Sequence, residues 1–227
     1  MFVDIHTHLD NQSVIKIVSD NFEEKVLKTE GVHPWEVCHF ERNEIESRNP
    51  FLSKANDSGG FLDCTTLRSV PLEMTAAIGE VGLDKIHKET FEKQLEVFEE
   101  MIRLSESYRK PMIIHCVRAY SEIIEVRKKT KATMPWVIHG FNSSVETMRQ
   151  LLKHDMYISL GEVMYRNDNQ AIKILKDIPL ERLFLETDVS GRDIRDVYAK
   201  AAELMGCEVD FLCKQIFENY GRLETTH

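Results

Sequence analysis

From about residue 76 onward, short runs of β-branched and aliphatic residues alternate with stretches whose apolar side chains recur at helical spacing. Segment 76–82 reads as a strand. Segment 90–108 reads as a helix, with Phe91, Leu95, Phe98, Met101, Ile102 and Leu104 on its apolar face. Lys110 and Pro111 then lead into a strand at 112–116, followed by a helix at 121–129. The next units are a strand at 136–141, a helix with Ser144 as its N-cap that ends near His154, and a strand at 157–160. A short helix at 170–176 and a strand at 182–187 complete the series. Two closing helices, 193–205 and 209–218, are divided near Gly206. Repeated strand-then-helix units require parallel strands with right-handed crossovers, in an open sheet or a closed barrel.

The first third breaks this rhythm. Segments 2–8, 14–18 and 25–31 read as strands, but too few residues separate them for crossover helices, which need a dozen or more. These three and the five later strands make eight. The best-fitting architecture is an α/β fold, a (β/α)8 TIM barrel shortened in its first two units, with helices at its C-terminal end. At 227 residues the chain is about 20 short of the roughly 250 of a typical barrel. No low-complexity tract, Pro-rich linker or charge shift divides it, so a single domain over 1–227 is expected.

Composition sets further bounds. With 29 basic and 38 acidic residues the formal net charge is -9, which argues against a protein that grips nucleic acid through diffuse basic charge. The apolar runs are too short to span a bilayer, and the N-terminus lacks the basic and apolar regions of a signal peptide. The five cysteines have no CxxC spacing, so neither a disulfide framework nor a zinc ribbon is expected. A cytoplasmic protein without a membrane or obligate protein partner fits these features.

Chemistry concentrates at the strand ends. His6 and His8 share a face because side chains alternate along a strand. The pair can present two imidazoles to one metal ion, or can be two polar residues at a strand-loop junction. Similar endings recur: Glu80 in Ile78-Gly79-Glu80-Val81-Gly82, His115 after Ile113-Ile114, His139 after Val137-Ile138, and Glu186-Thr187-Asp188 after Phe184-Leu185. In a (β/α) barrel such ends converge on one mouth, where catalytic groups collect. Imidazole and carboxylate together suit Zn, Mn, Mg or Fe.

On these residues the sequence resembles the TatD-related metal-dependent deoxyribonucleases, members of the wider amidohydrolase-like TIM-barrel group. The matching segments are Val3-Asp4-Ile5-His6-Thr7-His8-Leu9, Gly31-Val32-His33-Pro34, Ile78-Gly79-Glu80-Val81-Gly82-Leu83-Asp84, 111–116, His139-Gly140-Phe141, Tyr157-Ile158-Ser159 and Leu185-Glu186-Thr187-Asp188. Their order and spacing hold over nearly the whole chain. The resemblance implies that His6, His8, Glu80 and Asp188 hold one divalent metal, and that Glu80, His115 and His139 hold a second, with Glu80 bridging. Two ions of Mg, Mn or Zn, about 3.5–4 Å apart, would activate water and stabilise the leaving oxygen of a phosphodiester in DNA. Asp188 and Glu80 become the candidate catalytic carboxylates, Asp188 as proton acceptor. His33 is expected near the scissile phosphate, with a polar turn before Pro34 as the alternative. Glu186 shares a face with Asp188, as a partner for a histidine or as a plain inward-facing residue.

Three departures bear on substrate. The family usually places Arg two residues after the fifth-strand histidine; here Val117 stands there and Arg118 follows, a candidate phosphate contact. The family continues after the last ligand with Ala-Pro and a long substrate loop, whereas this chain reads Val189-Ser190-Gly191-Arg192 and turns into helix. The segment between His8 and Gly31 is also short for the family. A more open mouth keeps a second enzyme class in play, an amidohydrolase-like hydrolase of a small amide, ester or lactone. A non-catalytic barrel scaffold would gain nothing from so many ionisable groups at one mouth.

Other features read more simply. Cys116 faces away from His115 and reads as an apolar filler. Trp136 opens an apolar strand and reads as core. Trp35, after Pro34, is a candidate for stacking on a base. The run Arg127-Lys128-Lys129-Thr130-Lys131 reads as a solvated helix end, with a nucleic-acid patch as the alternative.

Overall fold

The computed structural model describes residues 1–9, 12–18, 24–30, 33–34, 76–166 and 169–225. Trp35 lies outside them. Among the described residues, eight strands form one sheet in sequence order: β1 (Phe2–Leu9), β2 (Gln12–Val18), β3 (Glu24–Glu30), β4 (Ala77–Asp84), β5 (Met112–Val117), β6 (Trp136–Ile138), β7 (Met156–Leu160) and β8 (Leu183–Leu185). From β3 to β8 every neighbouring pair is parallel. A parallel bridge between Thr7 and Asp188 brings the end of β1 against the residues that follow β8, so the sheet curls into a nearly closed barrel.

The first three strands depart from the expected barrel in one respect. β2 runs antiparallel to both β1 and β3. The connections cause this: two residues separate β1 from β2 and five separate β2 from β3. Links of that length reverse the chain, whereas a parallel return needs a crossover of a dozen or more residues. The barrel therefore begins as a meander and continues as strand-helix units.

Those units follow the hydrophobic pattern. All eight residues of β4 and all five of β7 are buried, as expected for parallel strands covered on both faces. The helices are α1 (Phe91–Tyr108), α2 (Tyr120–Thr130), α3 (Val145–Leu152), α4 (Asn169–Asp177), α5 (Ile194–Met205) and α6 (Val209–Thr225). Ser144 caps α3, accepting the Thr147 N–H at 3.0 Å, and Asp193 caps α5, accepting the Arg195 N–H at 2.9 Å. Gly206 ends α5 in the left-handed region at φ 70°, where glycine carries no Cβ penalty. The Tyr198 hydroxyl on α5 accepts the Val3 N–H and donates to the Val3 carbonyl, fastening the helix to β1.

Trp136 is fully buried in the core, and Cys116 is buried too. The helix-end run at 127–131 divides. Lys128, Lys129 and Lys131 are exposed, but Arg127 is buried. Its guanidinium donates to the carbonyls of His154 and Met134 and lies 4.8 Å from the Trp136 ring centroid. Arg127 is thus a structural tie and not part of a solvated helix end, because its fixed fork of donors reaches two backbone carbonyls at once.

Candidate metal centre

The strand ends bring His6, His8, Glu80, His115, His139 and Asp188 into one cluster at the mouth. Glu80 is at its centre, buried, and its two oxygens face different neighbours. Oε2 lies 3.3 Å from His6 Nε2 and 3.4 Å from His8 Nε2. Both of those nitrogens are 3.5 Å from Asp188 Oδ1. Oε1 lies 2.8 Å from His115 Nδ1 and 2.8 Å from His139 Nε2. His33 joins this second side, with its Nε2 3.1 Å from the same oxygen.

The approach of β4 to β5 depends on glycine. Gly82, at φ 150°, leaves room that a Cβ would fill at 1.9 Å from the His115 carbonyl oxygen. A side chain there would drive the two strands apart and carry His115 away from Glu80.

Three further residues brace the cluster, and sequence reasoning had given two of them no role. The Asp4 carboxylate accepts both the N–H and the hydroxyl of Thr187, at 2.9 and 2.6 Å. Both lie within the quoted motifs, but a long-range pair leaves no mark in periodicity. Glu186 is buried beneath His139: its Oε1 accepts the Gly140 N–H at 2.5 Å and stands 3.9 Å from His139 Nδ1. Arg118 is exposed just past β5 at φ 56°, and among the described residues no hydrogen bond or ion pair joins it to the cluster.

The electrostatics follow from crowding of charge in a dry site. Burial opposes ionisation of Glu80, but the charge of His139 and hydrogen bonds from His115, His139 and His33 overcome it and hold the carboxyl well below its usual range. Burial likewise disfavours charged His6, yet its hydrogen bonds to Asp188 and Glu80 raise it to about 10. His139 is pushed down to about 4, because burial and the neighbouring His6 and His115 outweigh the attraction of Glu80. Asp188 falls below the usual carboxylate range, the His6 hydrogen bond overriding burial. Glu186 goes up to about 8, chiefly through burial.

The donors fit divalent ions. Atoms bound at roughly 2.1 Å to one ion stand about 3.0–3.4 Å from each other at right or tetrahedral angles. The observed spacings of 3.3–3.5 Å around Glu80 Oε2 and 2.8–3.3 Å around Oε1 are close to that. A set of imidazoles and carboxylates with no sulfur suits Zn, Mn, Mg or Fe. Beside the cluster opens a cleft of about 550 Å³, lined in part by His8, Lys16, Asp188, Arg192 and Arg195.

A nearly closed barrel with these donors at its strand ends has the build of the TIM-barrel metal-dependent hydrolases. The chain belongs to the TatD-related DNase family, whose model matches residues 1–225. It is similar to deoxyribonuclease Tat-D of Schizosaccharomyces pombe, 26% identical over 196 residues, covering 85% of this chain and 60% of that protein. It is 32% identical over 167 residues to YcfH of Escherichia coli K12, named an uncharacterized metal-dependent hydrolase, covering 66% of this chain and 63% of that one. The human 3'-5' RNA nuclease TATDN2 is 31% identical over 186 residues, covering 76% of this chain and 22% of its own length. The chain thus spans about three fifths of the first two relatives. Among solved structures, the TatD homologue YJJV of Escherichia coli superposes with a TM-score of 0.67 at 22% identity, covering 86% of this chain and 75% of that one. A TatD family hydrolase from Entamoeba histolytica superposes at 0.69 with 19% identity, covering 87% and 74%. At such identities the likeness speaks for the fold. No helix among the described residues is long and apolar enough to cross a membrane.

Proposed function

We propose that the protein is a metal-dependent hydrolase of phosphodiester bonds in DNA, working with two divalent ions of Mg, Mn or Zn. The observation that carries this reading is the division of Glu80, with His6 and His8 about one oxygen and His115 and His139 about the other, while Asp188 faces the same His6 and His8 nitrogens. Those six residues are the proposed ligands. Bound ions supply Lewis acidity toward water and toward phosphoryl oxygens. Asp188, whose carboxyl stays ionised, accepts the proton of the attacking water. Asp4 and Thr187 keep Asp188 over His6. Arg118, exposed at the rim, is free to meet a substrate phosphate. The name of the Schizosaccharomyces pombe relative supports DNA as the substrate.

A second reading has an observation of its own. Both arginines of the neighbouring cleft are engaged within the protein: Arg192 pairs with Glu162 at 2.9 Å and Arg195 with Asp193 at 2.7 Å. That pairing draws the arginine charge away from a polyanion, which favours a small amide, ester or lactone. Single-stranded DNA and RNA oligonucleotides, incubated with the protein and each metal, separate the readings. The expected result is metal-dependent shortening of DNA, reduced about 10²–10⁴-fold by Asp188→Asn. Turnover of small esters or amides with intact oligonucleotides would favour the second reading. Absence of bound divalent metal after reconstitution would sink both.

A further inference from the structure

Three imidazole nitrogens surround one carboxylate oxygen. Around Glu80 Oε1, His33 Nε2 at 3.1 Å is placed much as His115 Nδ1 and His139 Nε2 are at 2.8 Å. His115 Nδ1 is 3.3 Å from both other nitrogens. The His33 ring packs edge-on against His115 with centroids 4.5 Å apart, and only a fifth of its side chain is exposed. His33, Glu80 and His115 together form a group able to hold an ion, and His139 forms another with Glu80 and His6.

We propose that His33 is the third imidazole ligand of the second metal site, and not a contact to the scissile phosphate. This rests on the metal-dependent reading above and deepens it. A histidine that receives a phosphate would aim its nitrogen into the open mouth, whereas this nitrogen is aimed at an oxygen two other histidines already share. The two sites then differ in kind. The first offers two imidazoles and two carboxylates. The second offers three imidazoles and one carboxylate, a four-donor set that suits zinc and leaves magnesium, which prefers oxygen and retains water, poorly served. Zinc should therefore occupy the second site ahead of magnesium, and His33 should be the reason.

The test is a metal titration. Chelator-stripped protein is titrated with zinc in competition with a chromophoric chelator, for wild type, His33→Ala, His33→Gly and, as a marker of the first site, His8→Ala. Wild type should bind two zinc ions. His33→Ala should weaken one of them at least tenfold and leave the other unchanged, while His8→Ala weakens the other one. Added imidazole should restore the lost affinity in His33→Gly, which a merely misfolded variant would not show. Wild-type affinity for both ions in His33→Ala, with only the KM for oligonucleotide raised, would overturn the proposal and return His33 to the substrate. If wild type itself binds no zinc, the metal-dependent reading falls along with the proposal. That result is distinct from two tight ions in both proteins.

Discussion

Asp4 holds Thr187 with both of its carboxylate oxygens, one on the backbone N–H and one on the hydroxyl, and so locks the first strand to the residue before Asp188. The pair is buried, with Asp4 only 2% exposed.

Burial raises the Asp4 carboxyl to about 6, against the hydrogen bonds of Thr187 and the charge of His6. An acid whose folded pKa is raised favours folding most below its unfolded pKa near 4, and that contribution is lost as pH climbs to about 6. Across this window the metal-free protein should lose about 3 kcal/mol from this group alone. Urea unfolding at stepped pH should show the loss in wild type and a flatter profile in Asp4→Asn. Parallel profiles would refute the assignment.

Gly82→Ala tests the close approach of β4 and β5. The new Cβ would collide with the His115 carbonyl in a backbone conformation that side chains rarely adopt. A loss of at least about 3 kcal/mol in thermal or urea unfolding is expected. Wild-type stability would mean the strands are spaced more widely than described.

Asn219 should separate stability from chemistry. Fully buried on α6, it donates to the carbonyls of Leu180 and Leu183 at 2.7 and 2.9 Å, at the entry to β8 and away from the mouth. Asn219→Ala leaves both carbonyls short of a donor and should cost about 2–3 kcal/mol. Zinc stoichiometry at temperatures where the variant is folded should stay that of wild type. A loss of metal there would contradict the separation.

Cys116 adjoins His115 in sequence but should be chemically silent. Burial, aided by the charges of Glu122 and Asp84, pushes its thiol up to about 12. At pH 8 the reactive thiolate is then about one part in ten thousand. Iodoacetamide followed by peptide mapping should leave Cys116 unmodified in the native protein and alkylated in urea. Rapid native labelling would show that the side chain faces the mouth.

The barrel was legible because its strands are apolar runs ending in histidine or acid, and strand ends in such folds share a mouth. That logic placed His6, His8, Glu80, His115, His139 and Asp188 near one another, as the geometry does. The direction of β2 was not legible, because alternation reads the same either way and only the shortness of its connections hints at reversal. Arg127 looks like its lysine neighbours in sequence, and nothing local says that its guanidinium finds two carbonyls and the Trp136 ring. The division of Glu80 between two donor groups was expected only through the family resemblance, because it depends on a side-chain angle that no spacing encodes. Asp4 and Thr187 stood in quoted motifs without a role, since pairs so distant along the chain leave no period to detect.

The seam between β1 and the end of β8 joins distant parts of the chain. Asp4 and Thr187 are 183 residues apart, while β1, β2 and β3 pair within the first thirty. A local meander can assemble early, but drawing parts so far apart together carries a large loop-closure entropy. His6 and Asp188 meet only across that seam. An ion shared by them binds the closed chain and not the opened one, so it acts as a clasp as well as a reagent. At a hundredfold excess over its dissociation constant it would add about 2.7 kcal/mol to the cost of opening. Metal starvation would then leave the protein easier to unzip from its ends and more open to proteases, quite apart from any loss of reactivity.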